Sequence, residues 1–126
     1  MLYTTYFSKM KDIPEDAIKL IITRFPPKWI DVSSIPNVYI VKGLSPSQEL
    51  LLNYKRDNDW NKYVISFNKE MDSKQDMKRM LSKLRTTLES GKDVYLICYE
   101  KDYMKCHRSL IGQYFGEEGI EWKELS

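Results

Sequence analysis

The sequence predicts an α/β fold, with a small and mainly parallel sheet of about four strands covered by helices. Short apolar runs rich in β-branched and aromatic residues alternate with longer segments of helical periodicity. The connections between the later runs are long enough to hold helices, and parallel strands need crossover connections of that kind. With 126 residues, the chain is expected to form one domain over positions 1–126.

The predicted strands combine apolar character with high β-propensity. They span positions 2–7, 19–24, 94–99 and 120–125, and the third is apolar throughout. A helix over 15–24 is the alternative for the second, because apolar residues from Ala17 to Ile22 also fit one helical face. Positions 38–41 have the composition of a further short strand, and prolines at 26 and 27 prevent regular structure just before it.

The predicted helices are recognised by apolar residues at helical spacing. They cover positions 49–54, 60–67, 77–88 and 107–115. Ser45 or Ser47 can cap the first of them, and Gly91 is a suitable terminator after the third. The fourth begins shortly after the most apolar strand ends, which places the residues between them at a strand–helix junction.

Charge balance argues against a nucleic-acid partner. The 20 basic and 18 acidic residues leave a net charge of +2, which by itself attracts a polyanion only weakly. A basic helical face keeps a DNA- or RNA-associated processing factor open as an alternative. That face consists of Lys78, Arg79, Lys83 and Arg85.

Hydropathy and cysteine usage predict a cytoplasmic protein. No stretch approaches the ~20 apolar residues of a membrane helix, so no membrane partner is expected. The first residues lack the apolar core of a secretory signal, and the chain has only two cysteines. In a reducing compartment, a disulfide between Cys98 and Cys106 is the less favoured alternative.

The junction contains the only histidine of the chain and both cysteines. Parallel sheets bind ligands at the carboxyl ends of their strands, and a helix N-terminus favours an anion or a thiolate. Cys106, His107 and Arg108 are therefore the candidate catalytic residues. Cys106 would be an activated thiol, His107 an acid, base or hydrogen-bond donor, and Arg108 a partner for phosphate or carboxylate.

Structural roles for the same residues remain open as alternatives. Cys98 fits a core position, and Cys106 could be an inert thiol at the helix start. His107 could tie the loop by hydrogen bonds, and Arg108 could bridge to Glu100 or Asp102. No metal is expected, because two thiols and one imidazole fall short of the four ligands of structural zinc. Arg108 also follows Cys106 by too few residues for a phosphatase or rhodanese loop.

Two further cations lie at or just after the ends of predicted strands. Lys9 and Arg24 could reach the same sheet edge as Arg108 and help to bind a phosphate or carboxylate, although solvated strand-end charges are the alternative. Aromatic residues could stack on a base, although packing in the core is the default expectation. The candidates for stacking are Tyr6, Trp29 and Tyr103.

Positions 96–102, Leu-Ile-Cys-Tyr-Glu-Lys-Asp, and 106–110, Cys-His-Arg-Ser-Leu, resemble the signature of the domain of unknown function 488 family. Its members are small intracellular proteins of bacteria, archaea and phages. Positions 3–9, 22–24 and 27–29 also resemble its shorter members. The resemblance implies an α/β fold and a shared ligand-binding site, without an activity. That site comprises Cys98, Glu100, Lys101, Cys106, His107 and Arg108.

Together these observations predict a protein that binds a nucleotide-like or other anionic small molecule at the junction 98–108, with or without thiol or acid–base chemistry. A non-catalytic binder of phage type, which sequesters a signalling nucleotide or inhibits a host protein, is the alternative. The sequence leaves the cofactor, the oligomeric state and the assignment as an enzyme open.

Overall fold

The computed structural model describes all residues from 1 to 126 and confirms the α/β fold. It contains one sheet of five strands in the order β3-β2-β4-β1-β5, and every pair of neighbours is parallel. The strands are β1 (Leu2–Tyr6), β2 (Ile18–Ile21), β3 (Val38–Ile40), β4 (Val94–Cys98) and β5 (Trp122–Glu124). The sheet has one strand more than predicted because positions 38–40 pair with β2 as an edge strand.

The four α-helices lie in the predicted regions. They are α1 (Gln48–Asp57), α2 (Trp60–Ser73), α3 (Gln75–Glu89) and α4 (His107–Glu117). The side chain of Ser47 caps α1 by accepting from the amide of Leu50, and Asp59 caps α2 in the same way through Lys62. None of these helices combines the length and the hydropathy needed to cross a membrane.

The second strand is where two predictions competed, and the strand prediction is confirmed. β2 lies between β3 and β4 and uses both of its backbone edges, which a helix could not do. It ends at Ile21, three residues earlier than predicted. The amide of Ile22 still donates to the carbonyl of Ile97, and the carbonyl of Ile22 turns toward a side chain at the site.

The sheet is covered differently on its two faces. Val94, Leu96 and Cys98 belong to the larger core, which contains apolar residues from all four helices. Tyr95 and Ile97 point to the opposite face, where a smaller core is closed by a 3₁₀ turn (Phe7–Asp12) and the residues that follow it. Burial on both faces explains why β4 is apolar without alternation.

The strand order creates a crevice at one end of the sheet. From β2 the chain moves outward to β3, whereas from β4 it crosses β1 to reach β5 on the other side. The connections from these two neighbouring strands therefore leave in opposite directions, and open parallel sheets bind ligands at such a point. The residues that follow β2 and β4 line this crevice, which contains the candidate site.

Candidate functional site

A cleft of about 340 Å³ opens where β2 and β4 end. Its walls come from the residue segments after these two strands, from the start of α4, and from α1 and α2. Three kinds of side chain line it: the cations Arg24, Lys55 and Lys105, the rings of Phe25, Tyr54, Tyr63 and Tyr99, and the reactive groups of Glu100, Cys106 and His107. The cleft therefore contains Cys106 and His107 of the predicted junction together with cations and aromatic rings from other parts of the chain.

The His107 imidazole is oriented by the backbone of β2. Its Nε2 donates to the carbonyl of Ile22 over 2.7 Å, so this nitrogen carries a proton in either charge state. The other nitrogen, Nδ1, lies 3.7 Å from the sulfur of Cys106. A base whose orientation is fixed by a third group, and which faces a nucleophile, is the arrangement of thiol catalysis.

Cys98 contacts the same ring in another way. Its sulfur lies 3.9 Å from Nδ1 and 3.8 Å from Nε2, so it sits over the ring rather than in line with one N–H bond. Cys98 is fully buried at the end of β4, and it does not line the cleft. Cys106 is therefore the thiol that both pairs with His107 and faces the cleft.

The surroundings favour the thiolate of Cys106. Burial opposes its charge, but the Cys98 thiol, the His107 imidazole and the Arg108 guanidinium together hold the pKa of Cys106 well below its ordinary value. Burial likewise opposes the charge of His107, yet the negative sulfur of Cys106 and the Ile22 carbonyl raise the pKa of that imidazole. Burial and the bond to Cys106 raise the pKa of Cys98 well above its usual range. The arrangement therefore favours an ion pair of Cys106 and His107.

Glu100 faces the cleft from the segment after β4. The pKa of Glu100 is raised, because its carboxyl group is partly removed from water and because the negative charge of Cys106 lies nearby. A carboxyl group that keeps its proton longer than usual can act as an acid near a nucleophile.

Arg108 does not line the cleft, and its side chain is fully buried. Its Nε and Nη2 donate to the two carboxylate oxygens of Glu124 over 3.1 and 3.0 Å, and Nη1 donates to the carbonyl of Glu100 over 2.6 Å. Thr4 donates to the same carboxylate over 2.7 Å. Arg108 thus ties the loop after β4 to the edge strand β5, and its ionic partner is Glu124 rather than the side chain of Glu100 or Asp102.

The other predicted residues separate into two groups. Arg24 lines the cleft, whereas Lys9 and Lys101 do not. The amino group of Lys9 lies 4.0 Å from the Asp12 carboxylate. The rings proposed for stacking, Tyr6, Trp29 and Tyr103, lie outside this cleft.

Sequence reasoning missed several residues that line the cleft. Lys105 directly precedes Cys106, so its position at the junction was a usable signal. Lys55 and Tyr54 belong to α1 and Tyr63 to α2, and no local pattern marks them as site residues. Their place in the site follows from the packing of the helices against the sheet.

Cys98, Cys106 and His107 are the side chains that could share a metal ion, since their donor atoms lie within 4.8 Å of one another. They supply two sulfurs and one nitrogen, which is one ligand fewer than structural zinc requires. Nε2 of His107 is bonded to the Ile22 carbonyl, so Nδ1 is the nitrogen left to face the two sulfurs.

Fold and site together define a small parallel α/β protein with a buried Cys–His pair at the switch point of its sheet. The family model described as "Active DUF488-N3 subclade" matches residues 3–119. The chain therefore belongs to the DUF488 family, as its Cys-His-Arg segment indicated. No curated protein and no solved structure matches the chain significantly.

Proposed function

We propose that the protein binds a nucleotide-like anionic small molecule in the cleft and reacts with it through the thiolate of Cys106. One observation carries this proposal: the cleft that contains the Cys106–His107 pair also has three cations and four aromatic rings on its walls. Its volume, about 340 Å³, lies within the range of small-molecule sites.

The charges of the cleft support an anionic ligand. Arg24, Lys55 and Lys105 form no salt bridge within the chain, so no carboxylate of the protein neutralises their charges. Arg24 also lines a second cleft of about 380 Å³, which Lys42 and Lys74 share. A ligand with more than one phosphate could extend from the first cleft past Arg24 into the second.

The aromatic walls support a flat ring in the ligand. Tyr99 and Phe25 are half or more exposed, and the Tyr99 hydroxyl donates to the Phe25 carbonyl over 2.8 Å. Exposed rings held in place by a hydrogen bond offer a stacking surface, and stacking on aromatic side chains suits any base. In the same cleft, the hydroxyl of Thr23 is the one buried side-chain oxygen without a protein partner, so it can bond to a ligand.

In the proposed reaction, the Cys106 thiolate attacks an electrophilic carbon of the ligand and forms a covalent thio-intermediate. Glu100 donates its proton to the leaving group as the bond to carbon breaks. The imidazolium of His107 holds the thiolate in place beforehand. The Glu100 carboxylate then takes a proton from water as that water attacks the same carbon, and the sulfur–carbon bond breaks, which releases the product and restores the Cys106 thiolate. We infer a cytoplasmic location, because a free thiol pair persists in a reducing compartment.

Calorimetric titration with nucleoside monophosphates, diphosphates and nucleotide sugars tests this proposal. We expect at least one of these ligands to bind, and Arg24→Ala and Lys105→Ala to weaken it about 10- to 100-fold, since a hydrogen bond to a charged group contributes about 1.5–3 kcal/mol. The matched control is Lys78→Ala on the exposed face of α3, which should bind like the wild type.

Each outcome of this titration separates the alternatives. Absence of binding across the panel contradicts the proposal, and a loss of binding in Lys78→Ala equal to that in Arg24→Ala would assign the ligand to the basic face. Cys106→Ser should keep ligand affinity while losing any turnover of the bound ligand. Turnover that survives in Cys106→Ser would contradict the assigned nucleophile.

A further inference from the structure

The thiol of Cys98 forms and breaks no bond to the ligand in the reaction proposed above, yet it adjoins both Cys106 and His107. Its sulfur lies 3.9 and 3.8 Å from the two nitrogens of His107, and the donor atoms of Cys98, Cys106 and His107 lie within 4.8 Å of one another. Both cysteines are free. A reactive cysteine beside a second thiol is the arrangement of reversible thiol oxidation.

We propose that this cluster reduces small hydroperoxides, with Cys106 as the oxidised thiol and Cys98 as the thiol that resolves it. The geometry restricts the substrate to a small molecule, because Cys106 is only 2% exposed and is reached through the cleft. The activity goes beyond nucleotide binding and does not need it.

In the first step, the Cys106 thiolate attacks the terminal oxygen of the hydroperoxide. A sulfur–oxygen bond forms as the oxygen–oxygen bond breaks, and the departing alkoxide takes the Nδ1 proton of His107. The products are an alcohol, neutral His107 and the sulfenic acid of Cys106, whose sulfur has lost two electrons. His107 is suited to this transfer because its Nδ1 faces the Cys106 sulfur at 3.7 Å.

In the second step, neutral His107 takes the proton of the Cys98 thiol, and the resulting thiolate attacks the sulfur of the sulfenic acid. The sulfur–sulfur bond forms as the sulfur–oxygen bond breaks, and the departing hydroxide takes the proton from His107 to become water. In total, two thiols are oxidised to a disulfide and one hydroperoxide is reduced to alcohol and water. Regeneration requires a thiol reductant such as glutathione.

The fold determines which sulfur moves. Cys98 ends β4, which is held between β1 and β2, whereas Cys106 lies after a loop and immediately before α4. Bond formation therefore requires the Cys106 side to turn toward Cys98, by rotation of its side chain between staggered conformations. That movement withdraws the nucleophile from the cleft, so oxidation should also stop the reaction with a nucleotide-like ligand.

The test is titration of the reduced protein with hydrogen peroxide, followed by thiol counting, which methionine oxidation does not affect. We expect both thiols to disappear together, the chain to stay monomeric on a non-reducing gel, and dithiothreitol to restore both thiols. In Cys98→Ser, dimedone should trap the sulfenic acid on Cys106. In Cys106→Ser, loss of the remaining thiol should slow at least about tenfold, because Cys98 is protonated and buried.

Several outcomes would overturn the proposal. They are equal oxidation rates in Cys106→Ser and the wild type, a disulfide between chains, and dimedone labelling of the wild type that persists because no disulfide forms. Titration of the reduced wild type with the nucleotide panel separates this proposal from the previous one. Ligand binding by the wild type, together with failure of the same protein to form the disulfide, would reject the peroxide activity alone.

Discussion

Replacing Arg108 by alanine is expected to destabilise the protein by about 3–5 kcal/mol, the largest loss for any single change at the site. The guanidinium is fully buried, and the Glu124 side chain that it bonds through two nitrogens is only 6% exposed. Removal of the arginine leaves this carboxylate charged, buried and without its partner, and it also leaves the Glu100 carbonyl without its donor. The measurement is the free energy of unfolding in urea.

Arg79→Ala provides the control for this prediction. Arg79 pairs with Asp76, but both side chains are largely exposed, so its loss should change stability by less than about 1 kcal/mol. The double variant Arg108→Met with Glu124→Leu should recover part of the lost stability, because it removes the unpaired charge. Equal unfolding free energies for Arg108→Ala and Arg79→Ala would contradict a structural ion pair at Arg108.

Replacing His107 by glutamine is expected to lower the thiolate fraction of Cys106 at low pH and to move the midpoint of its titration up by about 1–3 pH units, because an adjacent positive charge lowers a pKa by about that much. The glutamine amide can still donate to the Ile22 carbonyl, so the loop stays tied while the charge is lost. The direction of this change follows from the two pKa shifts. The His107 imidazolium and the Cys106 thiolate stabilise each other, so removal of the imidazolium raises the pKa of Cys106. The ultraviolet absorbance of the thiolate measures this fraction across pH.

Cys106→Ser and Cys98→Ala are the controls for the titration. The first should abolish the thiolate signal at low pH, because Cys98 keeps its proton there. The second should weaken the signal without abolishing it, since the bond from the Cys98 thiol is lost while His107 and Arg108 still stabilise the Cys106 thiolate. A signal that persists in Cys106→Ser, or that is unchanged in His107→Gln, would contradict the ion pair.

The strand–helix junction was predictable because each of its two elements is recognisable from a short run of neighbouring residues. An unbroken apolar run identified β4, apolar residues at helical spacing identified α4, and these two elements alone place Cys106 and His107 at the end of a buried strand. The helix caps were equally readable, since a serine or aspartate bonds to an amide only three residues further on.

Interactions set by the strand order were not predictable from local pattern. Glu124 reaches Arg108 because β5 pairs with the edge of β1 that faces away from β4. No spacing in the sequence encodes that strand order. The same holds for Lys19, which is buried while its amino group donates to the carbonyls of Glu15, Ala17 and Pro36 over 3.1, 3.0 and 3.0 Å. A charged residue in a strand predicts exposure, and only the folded backbone supplies these acceptors.

Among the predicted cations, the structure distinguishes those that bind within the protein from those free to bind a ligand. Arg108 is committed to Glu124, and Arg24 faces the cleft without an ionic partner. The sequence placed both at the same edge of the sheet, so position alone predicted the same role for them. Ligand binding in our account therefore depends on Arg24, Lys55 and Lys105, while Arg108 acts on the thiolate through its charge and on the site through its packing.

The most direct test of a reactive Cys106 is the rate at which iodoacetamide alkylates the native protein across pH, with the labelled residue identified by peptide mass spectrometry. We predict that Cys106 is labelled first and that the midpoint of its rate profile lies well below the value of about 8.5 for a free cysteine. A midpoint at or above that value, or labelling only after the protein unfolds, would contradict a thiolate that faces an open cleft.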